Sequence, residues 1–508
     1  MYMEKQIQSA LISVYHKDGL APVVKKLHEH GITIYSTGGT AAFIREQNIP
    51  VTTVESITSY PSILGGRVKT LHPKVFGGIL ARQTLAQDRE DLVKYDIPQI
   101  DMVMVDLYPF GQTVASGASD EEAIEKIDIG GISLIRAAAK NYYDLLVISN
   151  QGQYRKFLRI LEKKGPQTSL EERKIFAAEA FHISSHYDTL VFNWLNRENL
   201  VFAWKDSFSG GKKLRYGENP HQQGYFYGDF ESLYTQLHGK EISYNNLLDI
   251  DAAESLVAEF NETVFAVLKH NNACGIAARE KLIEAWTDAL AGDPVSAFGG
   301  ILSTNVEVNA ETAEGINKIF FEVIIAPGYT DEALKILEQK KNRIILIRKS
   351  FGFQSLIEKS ALNGVLVQER DSKVEASSDL KTVTKRQPSE AEIRDLLFAN
   401  KVVKHSKSNA IVLVKNQQLV GNGIGQTSRV DALKQAIAKA DSFNLDLHGA
   451  VMASDAFFPF ADSVELADKA GITTVIQPGG SVRDQESIDY CDNHNMSMVF
   501  TGIRHFKH

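Results

Sequence analysis

An α/β protein is what the sequence predicts, and three observations predict it. Short apolar runs alternate with helical segments through the first half, the pattern of a parallel sheet whose crossovers are helices. A glycine-rich turn stands between strand and helix at Ser36-Thr37-Gly38-Gly39-Thr40, and a second at Gln477-Pro478-Gly479-Gly480-Ser481. In the second half an apolar run ending in Lys-His occurs twice, at residues 265–270 and 400–405, which suggests two related lobes. At 508 residues the chain is too long for one core, and typical domain size gives roughly three domains.

Residues 7–14 read as a strand and 18–30 as a helix stopped by Gly31. Residues 32–35 form a second strand that runs into the Gly38-Gly39 turn and another helix. That arrangement leaves backbone N–H groups free at a helix start, where a phosphate binds. The turn has neither the Lys-Ser/Thr ending of a P-loop nor the glycine spacing of a dinucleotide site. Gly65-Gly66-Arg67-Val68-Lys69-Thr70-Leu71-His72-Pro73 is too broken for strand or helix. It packs two cations, a hydroxyl and an imidazole into a loop, a composition suited to phosphate recognition.

Residues 102–105 read as a buried strand that runs out through Asp106 to Tyr108. Asp128 precedes a helix over 133–140 that ends in Lys140, and 144–149 is a further strand. Ser169-Leu170-Glu171-Glu172 is a capping box opening a long helix to about Leu195. Residues 206–213 read as linker, with the domain boundary near residue 200.

Residues 214–222 are polar and irregular, and a helix is expected from Asp249. Val267-Leu268-Lys269-His270-Asn271-Asn272-Ala273-Cys274-Gly275 reads as an apolar strand that delivers a cation, an imidazole and two amides to one place and is closed by glycine. Two aspartate–phenylalanine loops, 293–298 and 455–460, follow the two Lys-His strands and are matched to one another. Residues 366–369 and 382–385 read as short strands. The chain ends in a strand over 473–476, a helix from about Asp484, a strand over 497–500, and Arg504, His505 and His508 at the terminus.

Composition removes several function classes. With 44% hydrophobic and 23% charged residues the chain reads as an ordinary soluble globular protein. No apolar run reaches the length of a membrane span, and Met1-Tyr2-Met3-Glu4-Lys5-Gln6 has no signal-like apolar core. Cys274 and Cys491, the two cysteines, cannot build a disulfide framework or a four-thiolate zinc site, so a cytoplasmic location is expected. A net charge of −8 argues against nucleic-acid binding while leaving local cationic clusters free to bind small anions.

Seven stretches, read in order, resemble one family: residues 66–73, 127–141, 214–222, 267–275, 401–410, 454–460 and 501–508. It is the bifunctional purine-biosynthesis family that joins phosphoribosylaminoimidazolecarboxamide formyltransferase to IMP cyclohydrolase. The resemblance covers nearly the whole chain. It implies a methylglyoxal-synthase-like parallel-sheet domain over 1–199 that closes the ring and a linker over 200–213. It also implies a formyltransferase region over 214–508 made of two cytidine-deaminase-like lobes, about 214–375 and 376–508.

By the same resemblance the co-substrate is 10-formyltetrahydrofolate with no catalytic metal, and the assembly is a homodimer with shared formyl-transfer sites. His270 is then the base, Lys269 supplies charge, Asn409 helps hold the transition state and His508 supports it. Arg215, Tyr216, Phe298, Arg429, Phe457 and Arg504 match the nucleotide- or folate-binding positions. In the first domain Lys69, Tyr108, Asp128 and Lys140 match the catalytic set. Ser13, Lys17, Ser36, Gly38, Gly39, Thr40, Arg67 and Thr70 match the phosphate-binding face.

The chain departs from the family pattern at Asp106, where Asn is usual, at Phe76, where His is frequent, and at Tyr15-His16, where Ser-Asp is usual. In the second domain Asn422 stands where an apolar residue is usual. An added carboxylate at 106 beside an anionic nucleotide leaves an alternative: formyl transfer alone, with an impaired cyclohydrolase. A zinc nucleoside deaminase is the rival enzyme, and it would need a Pro-Cys-x-x-Cys ligand pair, whereas this segment has Cys274 alone. A nucleotide-sensing scaffold would have lost the reactive residues, yet Lys69, Lys269, His270 and Asn409 are all present.

Overall fold

The computed structural model describes residues 4–350 and 352–508. The chain divides into two compact units, Met1–Ser209 and Gly210–His508.

The first unit is built on five parallel strands: Ser9–Ser13 (β1), Thr33–Ser36 (β2), Thr52–Thr53 (β3), Met102–Val105 (β4) and Leu146–Ile148 (β5). Their order is β3-β2-β1-β4-β5. All four residues of β4 and all three of β5 are buried, because helices cover both faces of such a sheet. Helices Gly38–Glu46 (α1) and Gly130–Lys140 (α2) start near the carboxyl ends of strands. The capping box at Ser169 forms as the sequence predicts, opening Leu170–Leu195 (α3). Arg173 on α3 is buried and gives its guanidinium to the carbonyls of Tyr142, Tyr143 and Thr168, which pins the long helix to the chain beside β5.

The second unit is one twelve-stranded sheet. Its strands are Tyr234–His238 (β6), Val264–Lys269 (β7), Asn272–Ala278 (β8), Ile301–Thr304 (β9), Val323–Ala326 (β10) and Ile344–Arg348 (β11). They continue with Lys381–Thr382 (β12), Ile411–Lys415 (β13), Gln418–Gly423 (β14), Val451–Ser454 (β15), Thr474–Gln477 (β16) and Ser497–Phe500 (β17). The order β6-β11-β10-β9-β7-β8-β14-β13-β15-β16-β17-β12 is a palindrome about the β8–β14 seam. Each half is an antiparallel hairpin, an antiparallel neighbour, two parallel strands and an antiparallel edge. Even the irregularities repeat: a register shift after Val267 in one hairpin recurs after Leu413 in the other.

The repeat does not follow the match expected from sequence. Residues 400–404 close the helix Glu390–Lys404, so the second Lys-His is a helix end and not a strand. The hairpin register instead aligns Lys269-His270 with Lys415-Asn416. The two aspartate–phenylalanine loops are likewise unrelated, since Asp293 follows the helix Leu282–Gly292 whereas Asp455 follows β15. Gly275 does not close the first strand. It lies inside β8, where a Cβ would stand 1.8 Å from the Ala289 carbonyl oxygen. The helix expected from Asp249 begins earlier, at Tyr244, behind a Ser243 cap. Residues 356–361 pair with 364–369 as a separate two-stranded arm.

Only one Cα pair, Ala277 with Gln418, joins β8 to β14, and side chains complete the seam. Asn422 donates to the Ala273 carbonyl at 2.7 Å and accepts from Lys439, which also pairs with Asp293 at 2.7 Å. The polar residue at 422, unusual by resemblance, is therefore a buried and satisfied bridge between the lobes.

Candidate functional sites in the two units

In the first unit the strand order reverses between β1 and β4, and open parallel sheets bind ligands at the carboxyl ends of strands flanking such a point. A cavity of about 560 Å³ opens there. On one side Gly38, Gly39 and Thr40 begin α1. The Thr40 hydroxyl donates to the Val14 carbonyl at 2.9 Å and accepts from the Lys17 ammonium at 3.1 Å. Ser13 and Thr37 share a hydroxyl hydrogen bond of 2.8 Å. Burial pulls the Lys17 pKa below its ordinary value, with Asp106 opposing. Lys69 stands over the helix start, its Nζ 3.8 Å from where a Cβ on Gly38 would lie.

Arg67 is exposed and paired with Glu125, and Thr70 is buried; both line the same cavity. Ser36 does not line it. Fully buried, it gives its hydroxyl to the Ile12 carbonyl at 2.6 Å and ties β1 to β2.

Tyr108 and Asp128 form the opposite wall. The Asp128 carboxylate accepts from the Gly131 N–H at 2.6 Å and the Tyr108 N–H at 3.4 Å. Gly131 has no room for a side chain, because a Cβ would stand 2.6 Å from that carboxylate. Burial pushes the Asp128 carboxyl up against those two N–H groups. Burial, then Asp128 and Tyr15, push the Tyr108 phenol up as well.

Lys140 is not in this cavity. It ends α2, an eleven-residue helix of about 16 Å that starts beside Asp128. There it lines a second cavity of about 760 Å³ with Lys5, Arg82 and Asp144. Within one chain the expected catalytic set is therefore split, with Lys69, Tyr108 and Asp128 together and Lys140 apart.

Two departures read from sequence meet here. Asp106, buried at the end of β4, accepts from the Tyr15 N–H, from the His16 N–H at 3.0 Å and from the His16 ring at 2.9 Å. The added carboxylate is thus capped by three donors of this chain. Phe76 packs against the core of the unit.

In the second unit the β7–β8 turn is His270-Asn271, with φ of 51° and 64°. Two successive left-handed residues make the two-residue hairpin turn that fits strand twist, normally built with Asn and Gly. A non-glycine residue there costs about 1 kcal/mol. Asp249 offsets the cost by accepting the Asn271 N–H at 2.7 Å, and the Asn272 amide donates to the His270 carbonyl at 2.8 Å. His270 is thereby held exposed at the hairpin tip. Lys269 donates to the Phe298 carbonyl at 2.9 Å, while the Phe298 ring stays exposed against Phe320.

The second lobe comes in across the seam: the Lys407 N–H donates to the Asn272 side chain at 3.0 Å, two residues before Asn409. The Asn409 amide donates to the carbonyls of Gln426 and Thr427, and its oxygen accepts from Arg429 at 3.0 Å. Arg429 also pairs with the buried carboxylate of Asp455 at 2.9 Å. The terminal segment is tied to this loop, since Ser408 donates to the Lys507 carbonyl at 2.9 Å and His505 to the Asp455 carbonyl at 3.0 Å. His508 and Arg504 lie exposed on that anchored tail, and Phe457 is exposed two residues beyond Asp455.

Arg215 and Tyr216 sit in the irregular segment before the sheet, the guanidinium 5.6 Å from the Tyr216 ring centre. Cys274 is buried, and burial pushes its thiol up to about 12. Among the described residues no group of three or more His, Cys, Asp or Glu is arranged to hold a metal. Asp249, Asn272 and Asp455 hold the segments that carry the candidate groups here. Sequence reasoning missed the roles of all three, because each acts on a group that only the fold brings near.

A family model described as AICARFT/IMPCHase bienzyme matches residues 138–439, and one described as MGS-like domain matches residues 19–133. The chain is 61% identical to the "Bifunctional purine biosynthesis protein PurH" of Bacteroides thetaiotaomicron over all of both chains. It is 48% identical to the PurH of Aquifex aeolicus, over 98% of this chain and all of the relative. It is 46% identical to that of Persephonella marina, over 99% of this chain and all of the relative. With one family model over more than half of the chain and a relative matched end to end at 61% identity, the chain belongs to the AICARFT/IMPCHase bienzyme family.

Proposed function

We propose that the chain catalyses two successive steps: formyl transfer to 5-aminoimidazole-4-carboxamide ribonucleotide, then dehydrative ring closure to IMP. The observation that carries this reading is the match to two-activity relatives along the entire chain. The donor is 10-formyltetrahydrofolate, a substrate class suited to the exposed rings of Phe298 and Phe457. The substrates are small nucleotides and folates, and a cytoplasmic location fits them. No helix among the described residues is long and apolar enough to cross a membrane.

In the transferase step the 5-amino nitrogen attacks the formyl carbon. The amine is a poor nucleophile, its lone pair delocalised into the carboxamide-bearing ring, so a base at the amine and charge at the oxyanion lower the barrier. His270 takes the amine proton, and Lys269 faces the developing oxyanion with the donors its bond to Phe298 leaves free. The C–N bond to N10 of the folate breaks, and N10 leaves with a proton. Both amide hydrogens of Asn409 are given to backbone carbonyls. Asn409 therefore acts through its oxygen, accepting from the substrate amine and orienting its lone pair.

In the cyclohydrolase step the carboxamide nitrogen attacks the formyl carbon of the same molecule, and water departs after proton transfer. Proximity supplies much of the rate, because both groups already share one ring. Asp128, its carboxyl raised by burial, exchanges protons with the nitrogen and the leaving hydroxyl, while Tyr108 and Lys69 face the carbinol oxygen. Gly38, Gly39, Thr40, Lys17 and Arg67 hold the phosphate.

A homodimer with shared formyl-transfer sites fits the arm over residues 356–369, which carries exposed Leu356, Leu362, Val365 and Leu366. The domain division we propose is a cyclohydrolase over 1–199, a linker over 200–213 and a formyltransferase over 214–508 in two cytidine-deaminase-like lobes.

Supplying the aminoimidazole nucleotide and 10-formyltetrahydrofolate tests both activities. IMP is the expected product. Accumulation of the formamido nucleotide would remove the cyclohydrolase, and no turnover would remove both.

A further inference from the structure

We propose that Tyr15 is a positioning residue for ring closure, its ring fixing that of Tyr108 at the cavity wall. The proposal rests on the cyclohydrolase reading of the first unit. Tyr15 leaves the end of β1 and lines the cavity. The loop that carries it is pinned at both ends. Asp106, at the end of the adjacent β4, accepts the N–H groups of Tyr15 and His16 and the His16 ring. Two residues on, Lys17 donates to Thr40 and to the Val14 carbonyl. A carboxylate on one strand end thus clamps the loop of its neighbour at the point where the sheet opens to ligand.

Held this way, the Tyr15 ring meets Tyr108 edge-on, with centroids 5.4 Å apart and planes at 71°. His16 closes the other side, its ring 4.9 Å from that of Tyr15. The Lys126 ammonium lies 5.2 Å from the Tyr15 centroid and 5.9 Å from that of Tyr108, so one cation bears on both rings. Tyr108 is 38% exposed, and its hydrogen bond to Asp128 holds the backbone N–H, not the ring. Tyr15 and Lys126 are the neighbours that fix the ring's direction. A phenol aimed at a carbinol oxygen loses effect with small displacements, and misplacement of about 1 Å costs up to 10²-fold in rate.

The experiment uses the full chain with the formamido nucleotide supplied, measuring kcat and KM for ring closure, and formyl transfer in the same preparation. Tyr15→Ala is expected to lower kcat roughly tenfold or more with KM little changed. Tyr15→Phe, which keeps the ring, is expected to recover most of that loss. Asp106→Ala, which frees the loop, is expected to reproduce the kcat loss, with the double variant no slower than either single one. The proposal is overturned if Tyr15→Ala keeps its kcat, if only KM rises, if Tyr15→Phe is as slow as Tyr15→Ala, or if the two single effects multiply. Absence of ring closure by the unaltered chain would instead overturn the cyclohydrolase reading.

Discussion

His505 shows what a single residue adds that its place in the sequence does not announce. A histidine three residues from a chain end is usually frayed, yet this one is buried, with Asp371 at 2.6 Å and Glu375 at 3.0 Å on its two ring nitrogens. Burial pulls its pKa down, but the hydrogen bonds and charges of the two carboxylates outweigh it and leave the pKa raised. A raised folded-state pKa means that the folded chain holds the proton more tightly than the unfolded one. The stabilisation is complete below about pH 6.5, the ordinary imidazole value, and disappears as pH rises through the raised value. The difference in unfolding free energy between the unaltered chain and His505→Gln should therefore shrink as urea titrations move from pH 6 to alkaline pH. A difference independent of pH would mean that the imidazole contributes packing alone. The stretch 501–508 was legible as part of a site, but the two carboxylates, more than a hundred residues away, were not.

At the scale of elements, the duplicated hairpins explain both why a repeat was legible and why its match was misplaced. Lys269-His270 and Lys404-His405 share letters, but one pair ends a strand and the other a helix. Topology sets the true counterpart at Lys415-Asn416. There Asn416 and Gln417 adopt the same left-handed turn, held by Asp395 as Asp249 holds Asn271. The carboxylate-to-turn clamp is present in both hairpins, while the imidazole exists on one side only. Removing either clamp removes acceptors for turn N–H groups and should cost about 1–3 kcal/mol. Asp249→Ala should also lower formyl transfer strongly, whereas Asp395→Ala should leave its kcat close to normal at temperatures where the protein is folded. Denaturant unfolding alongside a transferase assay would separate the two outcomes. Equal loss of activity in both variants would deny the asymmetry.

For the whole molecule, the chain divides into two compact units, one for each of the two chemistries proposed. His270→Ala should reduce formyl transfer by 10²–10⁴-fold, on the order expected for a lost general base. Ring closure of supplied formamido nucleotide should stay within about twofold of normal, at the level of additivity expected for sites that share no partners. Loss of both activities would contradict independent sites. The α/β class, the capping box of the long helix, the glycine turn at Gly38-Gly39 and the strand that ends at Lys269 were all legible in the sequence. Each of these is local, set by hydrophobic period, cap chemistry or a turn. Only the folded chain shows that Asp106 is capped by the His16 loop, that Lys140 lines a different cavity from Asp128, and that Lys407 reaches the hairpin across the seam. Those relations depend on which strands lie side by side, and pairing across 90 to 135 residues leaves no periodicity in a single chain to read.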